Sequence, residues 1–373
     1  MRPIGLYLDI PFCVARCAFC AFPIEGFRSG PSKRYLTALH KEIAMTAARP
    51  EIQACTMYSV YLGGGTPSLF RENELRTLLR HCRDCFQVAG DAEISLEAHP
   101  ATLNFSKLKT LRDAGVNRLS IGMQSLSDRD LHKLGRKHSA AEADAAFLCA
   151  RAAGFANIGI DLIYGLPDQT ADDWAETLRH GIALSPEHLS IYALSVEAGT
   201  LFAKKIALGQ LPLPPEETVL SMYDTACETL SSAGYLQYEL SNFAKPDFAC
   251  RHNQLYWDQG EYIGLGVAAH SYFNHERREN TENLTDYIKA LESDRLPCIH
   301  RERVGPKTRR IDTIIFGLRK SGGLPVHVLQ HDPQISRTTH RLIRDGLLKI
   351  QRNSVELTSK GKHLADEVAT AYI

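Results

Sequence analysis

The chain has 373 residues, 44% of them apolar and 23% charged, with 43 basic and 43 acidic side chains. That mixture excludes collagen-like, disordered and membrane-spanning classes, and the even charge balance provides no global field to recruit nucleic acid. At roughly 100 to 200 residues per domain the length allows two or three domains, although a (β/α) barrel alone takes about 250. No run of about 18 apolar residues occurs, and Met1 to Asp9 passes directly into a strand-like alternation. A cytoplasmic protein without a transmembrane segment is expected, any contact with a membrane protein being transient.

Short β-rich runs alternate with amphipathic stretches as far as about residue 235. Strands are predicted over Ile4 to Ile10, Tyr58 to Leu62, Ala92 to Ala98, Arg118 to Met123, Asn157 to Tyr164 and His188 to Leu194. Helices are predicted over 32–48, 72–86, 103–114, 140–153, 171–184 and 215–233, with Gly115 and Gly154 closing two of them. A parallel pair needs a crossover, so this alternation predicts a parallel sheet in an α/β fold, closed into a partial (β/α)6 barrel. Chemistry in such sheets collects at the C-terminal strand ends, where Pro11 to Phe22, Gly63 to Ser68, Glu97 to Pro100, Gln124 and Asp161 to Pro167 would gather.

The barrel unit is expected over 1–235. An aromatic, polar extension with a linker at Pro297 to Pro306 follows over 236–300. The remainder, 301–373, is expected to be a smaller winged-helix-like domain, with helices at 307–319, 325–331 and 335–345, a hairpin of Leu347 to Ile350 with Ser354 to Leu357, and a last helix near Thr358. Without a basic recognition helix this domain is expected to pack or dock a partner rather than bind DNA. The basic stretch Arg301 to Arg310, interrupted by Glu302, is a solvated linker on the same reading.

Three of the ten cysteines, Cys13, Cys17 and Cys20, crowd into eight residues of PFCVARCAFCAF. In a reducing compartment such a crowd indicates a metal site. The C-x3-C-x2-C spacing lets one loop wrap a cubane cluster and leaves one of four irons open. A closed zinc site would need a fourth ligand, and none lies nearby; inert core cysteines are the remaining alternative. Cys82 and Cys85 form a CxxC inside a predicted helix, without the flanks of a redox site.

Gly64 and Gly65 end a strand without side chains, so the backbone there could approach a ligand closely, and Thr66 with Pro67 would fix the turn. Glu97 and Asp161 are acids at strand ends able to take hydroxyls or an ammonium, Gln124 is a polar group at another, and Arg136 could hold a carboxylate bidentately. Tyr7 and Phe19 are aromatics on the first strand and the cysteine loop. Ordinary turn, capping and core roles are the alternatives for all of these.

The cysteine triplet resembles that of the radical S-adenosylmethionine (SAM) proteins. The resemblance continues through YLGGGTPSLF, SLEAHP, GVNRLSIGMQSL, LGRKH, DLIYGLPDQT and YELSNFAKPDFACRHNQLYW, about residues 4 to 273, and is closest to the HemW heme chaperones of the HemN/HemW group. It implies a 4Fe-4S cluster on Cys13, Cys17 and Cys20 and SAM on the open iron, which reduction cleaves to a deoxyadenosyl radical in that superfamily. It further places Tyr7, Phe19, Gly64, Gly65, Thr66, Glu97, Gln124, Arg136 and Asp161 around SAM and the cluster.

HNQLYW at 252–257 matches the HNxxYW signature associated with heme in that family. His252 could ligate heme iron, and Asn253, Tyr256 and Trp257 would accompany it; in the alternative reading the aromatics close the open side of the barrel. Cys250 and His270 are further candidates, the first as a thiolate ligand and the second on the SAM side. Phe22 stands where HemN-type coproporphyrinogen dehydrogenases carry a fourth cysteine. Asp9 replaces a usual His, Ala21 a frequent Asp and His99 a usual Asn. The expected function is a heme chaperone that delivers heme to an acceptor hemoprotein. The rival is a radical SAM enzyme, a class C-type methyltransferase or a coproporphyrinogen III dehydrogenase-like protein.

Overall fold

The computed structural model describes residues 2–330 and 332–373. Six parallel strands form in the places where the alternation put them: β1 (Arg2–Ile10), β2 (Cys55–Gly64), β3 (Val88–Ala98), β4 (Arg118–Gln124), β5 (Ile158–Tyr164) and β6 (His188–Ala193). They pair in sequence order. The crossovers are α1 (Ser29–Ala47), α2 (Glu72–Cys85), α3 (Phe105–Asp113), α4 (Ala140–Ala152) and α5 (Ala171–Ala183), and α6 (Glu216–Ser232) follows the sixth strand. Local chemistry sets several starts: Ser139 with Glu142 and Thr170 with Asp173 form capping boxes, and the Asn104 side chain accepts from the Lys107 N–H.

Beyond residue 235 the structure departs from the expectation of a separate extension. The chain there adds six strands to the same sheet: β7 (Leu236–Glu239), β8 (Asn242–Ala244), β9 (Tyr262–Leu265), β10 (His270–Phe273), β11 (Glu276–Asn280) and β12 (Cys298–Arg303). The spatial order is β12-β11-β10-β9-β1-β2-β3-β4-β5-β6-β8-β7, twelve strands in all. β9 runs parallel to β1, so the parallel stretch is one strand longer than the six-unit reading. The expected linker at Pro297 to Pro306 is largely β12, an edge strand whose charged side chains suit solvent. Between β8 and β9 lies the short helix α7 (Arg251–Trp257), which carries HNQLYW.

The C-terminal unit has its own core of Ile314, Leu318, Leu342, Val355 and Val368, joined by Leu240 from the large sheet. It contains α8 (Pro306–Arg319), α9 (Pro333–Arg344) and a small sheet of β13 (Leu324–Pro325), β14 (Leu348–Gln351) and β15 (Ser354–Leu357), with Thr358 capping a short last helix. In place of the helix expected over 325–331 there is one 3-10 turn at Val326–Leu329; residue 331 lies outside the described residues. Among the described residues no helix is long and apolar enough to cross a membrane.

Candidate functional site

The central strands have two unlike faces. Outward side chains such as Ile94, Leu96, Leu119, Ile121, Ile160 and Leu162 are buried under the helices and form the main core. Inward positions are polar, as in Ser59 and Tyr61 on β2, Glu93, Ser95 and Glu97 on β3, Arg118 and Ser120 on β4, and His188 and Ser190 on β6. A parallel sheet covered by helices is normally apolar on both sides. Here the lumen is a polar chamber, opening at the strand C-termini into a cavity of about 870 Å³.

The cysteine loop forms the upper wall of that cavity, and Cys13, Cys17 and Cys20 all line it. Several contacts hold the loop. Phe12 is fully buried against Tyr35 and Phe70, the Ala18 N–H donates to the Leu134 carbonyl, and the Phe202 N–H donates to the Ala18 carbonyl. The Arg16 guanidinium donates to the carbonyls of Cys20 (3.3 Å), Phe22 (2.9 Å) and Ile24 (3.1 Å), pinning the second half of the loop. Cys13 Sγ lies 3.3 Å from Thr66 Oγ1, and Arg136 Nη1 donates to Cys17 Sγ at 3.6 Å. Burial pushes the Cys13 and Cys20 thiols up; Thr66 and Arg136 oppose it at Cys13, and the Phe22 N–H and Arg16 oppose it at Cys20.

The Gly-rich turn fits beneath this loop because it lacks side chains. A Cβ on Gly65 would sit 2.7 Å from the Phe12 carbonyl oxygen, and Gly64, at φ +104°, would put one 2.7 Å from Asp9 Oδ2. Gly64, Gly65, Thr66, Phe19, Glu97, Gln124, Arg136 and Asp161 share the cavity with the cysteines. Gln124 holds φ +68°, an uncommon backbone state that bends the strand end over the opening. Tyr61 donates to Glu97 at 2.9 Å. Burial, then Asp161, pushes the Glu97 carboxyl up to about 7, against the pull of Tyr61, the Gly64 N–H and Arg118. Asp161 is also raised by burial, opposed first by Ser190 and then by Arg118 and Ser120.

Arg136 donates to the Gly122 carbonyl at 2.6 Å, while its buried Nε has no protein acceptor. An unpaired guanidinium donor beside a cysteine loop fits a ligand carboxylate. Among the described residues no three His, Cys, Asp or Glu side chains converge on a single-ion site; a cubane asks for less convergence, since each thiolate takes its own iron. The residues present therefore fit a three-cysteine cluster with an amino-acid-bearing cofactor beside it.

Other expected residues lie elsewhere. Tyr7 does not line the cavity; its ring stacks at 6.1 Å on both Tyr61 and His252, one layer further in. His252 is 1% exposed and has both ring nitrogens engaged, Nδ1 with Ser59 Oγ at 2.9 Å and Nε2 with Tyr256 Oη at 2.8 Å. Burial, then Arg118, pulls its imidazole down to about 3. In this structure both nitrogens that could serve iron are held by protein hydroxyls. Here α7 closes the lower end of the barrel. Leu255 and His252 pack against Gly5, where a Cβ would come within 2.5 Å of Leu255, and Glu93 accepts from the Arg251 and His252 N–H groups at 3.0 and 3.3 Å.

Of the four heme candidates only Asn253 reaches the cavity. Trp257 points toward the C-terminal unit, under Arg319 (4.7 Å) and beside Phe316. Cys250 bonds to Glu93 and burial pushes its thiol up to about 12, which does not suit a thiolate ligand. His270 is exposed at the start of β10 and is absent from the cavity lining. Cys82 is buried in α2 with its thiol pushed up to about 12 by burial. Of the departures from the family pattern, Phe22, Ala21 and His99 line the cavity and Asp9 does not. Burial, then Arg136, holds His99 down to about 3, and burial, then Glu97, raises Asp9 to about 8.

The residues missed in the sequence are Arg118, Tyr61, Ser120, Ser190 and Tyr192, all of which line the cavity. Their signal was present as a polar position at every second residue of otherwise apolar strands.

Comparison with known proteins agrees with this geometry. Residues 7–181 match the model of the radical SAM superfamily. The chain is 37% identical over 371 residues to a heme chaperone HemW of Mycobacterium tuberculosis, covering 98% of this chain and 94% of that one. It is 33% identical to the HemW of Bacillus subtilis, covering 98% of each. Among solved structures, coproporphyrinogen III oxidase (HemN) from Escherichia coli, titled a radical SAM enzyme, superposes with a TM-score of 0.85 at 26% identity, over 100% of this chain and 90% of that one.

Proposed function

This chain belongs to the HemW heme chaperone family within the radical SAM superfamily, and from that premise we propose that it binds heme in the cytoplasm and delivers it to an acceptor hemoprotein. The carrying observation is the cavity itself. Its volume of about 870 Å³ lies toward the upper end of ligand pockets, which run to about 1,000 Å³, and it joins a polar ring to an apolar rim of Val14, Phe22, Pro23, Ile24 and Leu194. Phe22 (68% exposed) and Val14 (71% exposed) stand at the opening without a covering partner. A flat apolar cargo with charged edges suits such a site better than a nucleoside cofactor alone.

The superfamily implies a 4Fe-4S cluster and SAM. We assign the cluster to Cys13, Cys17 and Cys20; when bound it supplies an iron open to an exchangeable ligand. Arg16 keeps the loop in shape. Arg136 offers its unpaired Nε to the SAM carboxylate, Glu97 and Asp161 accept from hydroxyl or ammonium groups, Gln124 and Thr66 add polar contacts, and Gly64 with Gly65 lets backbone approach. Phe19 supplies an aromatic face. Tyr7 acts from behind by orienting Tyr61, which bonds Glu97. Asn253 contributes to the cavity from α7, while His252, Tyr256 and Trp257 support the site from beneath.

The enzyme reading is not favoured, because several curated relatives at 31–37% identity over nearly the whole chain carry the chaperone name. An anaerobic titration of the cluster-loaded protein with heme tests the assignment, with SAM and a low-potential reductant then added and nucleoside products measured. Stoichiometric heme binding with little deoxyadenosine or S-adenosylhomocysteine is expected. Absent heme binding together with substrate-dependent product would replace the carrier with an enzyme.

A further inference from the structure

Two guanidiniums line the cavity at different depths, Arg118 from β4 and Arg136 from the loop that follows the helix Asp128–Leu134. Arg136 reaches in near the top, bonded to the carbonyl of Gly122 and to Cys17. Arg118 is the first residue of β4, four positions below Gly122, which at about 3.3 Å per residue is roughly 13 Å deeper. It is 1% exposed and lines the cavity, and neither its Nε nor its Nη1 has a protein acceptor. A buried charge without acceptors is costly, so native structures nearly always provide a partner.

The surrounding acids do not supply one, because each is already occupied. Glu93 accepts from Ser95, Cys250 and the N–H groups of Arg251 and His252. Glu97 accepts from Tyr61 and the Gly64 N–H, and Asp161 accepts from Ser120 and Ser190. These carboxylates balance the charge of Arg118 without meeting its Nε or Nη1. His188 Nδ1, also buried and unpartnered, faces the same gap over Gly159, where an added Cβ would lie 3.3 Å from it and 3.4 Å from Arg118 Nη2. Nε and Nη1 lie on different edges of the guanidinium, so the missing acceptor is an anion such as a carboxylate taken by one of these donors.

We propose that Arg118 anchors, at the floor of the cavity, a carboxylate carried by a ligand. Heme carries such a group in its propionates, whereas the carboxylate of SAM is already assigned to Arg136 beside the cysteine loop. The proposal rests on the heme-carrier reading.

The test uses the full chain with its cluster reconstituted, as wild type, Arg118→Gln and Arg118→Lys. Ferric heme is titrated against its dimethyl ester by absorbance, and SAM against its decarboxylated analogue by equilibrium dialysis. Losing a charge-assisted hydrogen bond in a buried site weakens binding by about tenfold to a hundredfold. Wild type is expected to prefer free heme to the ester by about that factor, with the preference abolished in Arg118→Gln and partly kept in Arg118→Lys. If the preference disappears from the SAM pair instead, Arg118 does not hold a propionate and the proposal is overturned. If both preferences survive unchanged in Arg118→Gln, the proposal is overturned and Arg118 is a solvated charge. Should wild type bind no heme, the carrier reading falls and the anchor with it, whereas heme binding without a preference for the free acid overturns the anchor alone. Should Arg118→Gln fail to fold, the reduced preference in Arg118→Lys gives the same decision.

Discussion

The two ends of the barrel treat their polar groups in opposite ways. At the floor, α7 satisfies the groups it touches: both His252 nitrogens are bonded, Glu93 caps the helix, and Gly5 leaves room for Leu255. Arg118 and His188, on the cavity side of the floor, are the exceptions that keep unpaired nitrogens. At the mouth three cysteines, an Arg136 whose Nε has no protein acceptor and the exposed Val14 and Phe22 gather around one opening. The saturated end holds the fold together and the mouth offers its groups to ligands. The HNQLYW segment, read in sequence as a cofactor contact, falls mainly at the saturated end.

Substitutions at the two ends should therefore differ in kind. The largest effect is expected from Cys17→Ala, which leaves two thiolates and should abolish the cluster's absorption after anaerobic reconstitution, with the unfolding midpoint of the cluster-free chain little changed. His252→Ala should do the reverse. Opening a hole beneath Tyr7 and Tyr61 and freeing two partners should cost about 2 to 4 kcal/mol in denaturant unfolding, while cluster absorption and the heme Soret position stay as in wild type. A shifted Soret band would restore His252 as a ligand and erase the distinction.

Gly65→Ala tests the close approach at the mouth. Its Cβ must displace the Phe12 carbonyl, so about 1 to 3 kcal/mol of strain and a lower yield of reconstituted cluster are expected. Trp257→Ala should cost about 1 to 2 kcal/mol by removing the Arg319 and Phe316 contacts, and should raise proteolysis between the sheet and the C-terminal unit.

The smallest effect concerns a buried acid on α1 that does not line the cavity. Glu42 accepts from Tyr287, Asn280 and the Gly266 N–H, yet burial raises its carboxyl from 4.5 to about 7. A carboxyl raised on folding contributes stability below its unfolded value and loses it as pH climbs through the folded one. The stability advantage of wild type over Glu42→Gln should thus shrink between pH 4.5 and about 7. An advantage that grows over that interval would reverse the assignment.

Much of the barrel was legible because its signals are local. Capping boxes at Ser139 and Thr170 and glycines at 115 and 154 fix helix ends within a residue or two, while β-rich runs locate the strands but miss up to four residues at their starts, as at Val88 and Cys55. The mouth was legible for the same reason, since each of its groups sits at a strand end. The floor was not, because it is assembled from the beginnings of strands and a helix over 150 residues away. His252 and Tyr256 are four apart on one face of a seven-residue helix, a spacing hidden by the aromatic composition of the segment. The sheet extension was hidden by charge: Glu276 to Glu279 and His300 to Arg303 resemble a solvated linker because edge strands are defended by such residues. Arg118 went unread because a lone arginine at a strand start resembles a surface residue until its neighbours are known.

The most direct measurement is anomalous diffraction at the iron edge from crystals of the cluster-loaded protein with heme bound. The account places one iron signal at Cys13, Cys17 and Cys20 and a separate one inside the barrel cavity, with the His252 nitrogens still on Ser59 and Tyr256. A heme iron bonded to His252, with α7 withdrawn from the barrel floor, would contradict it.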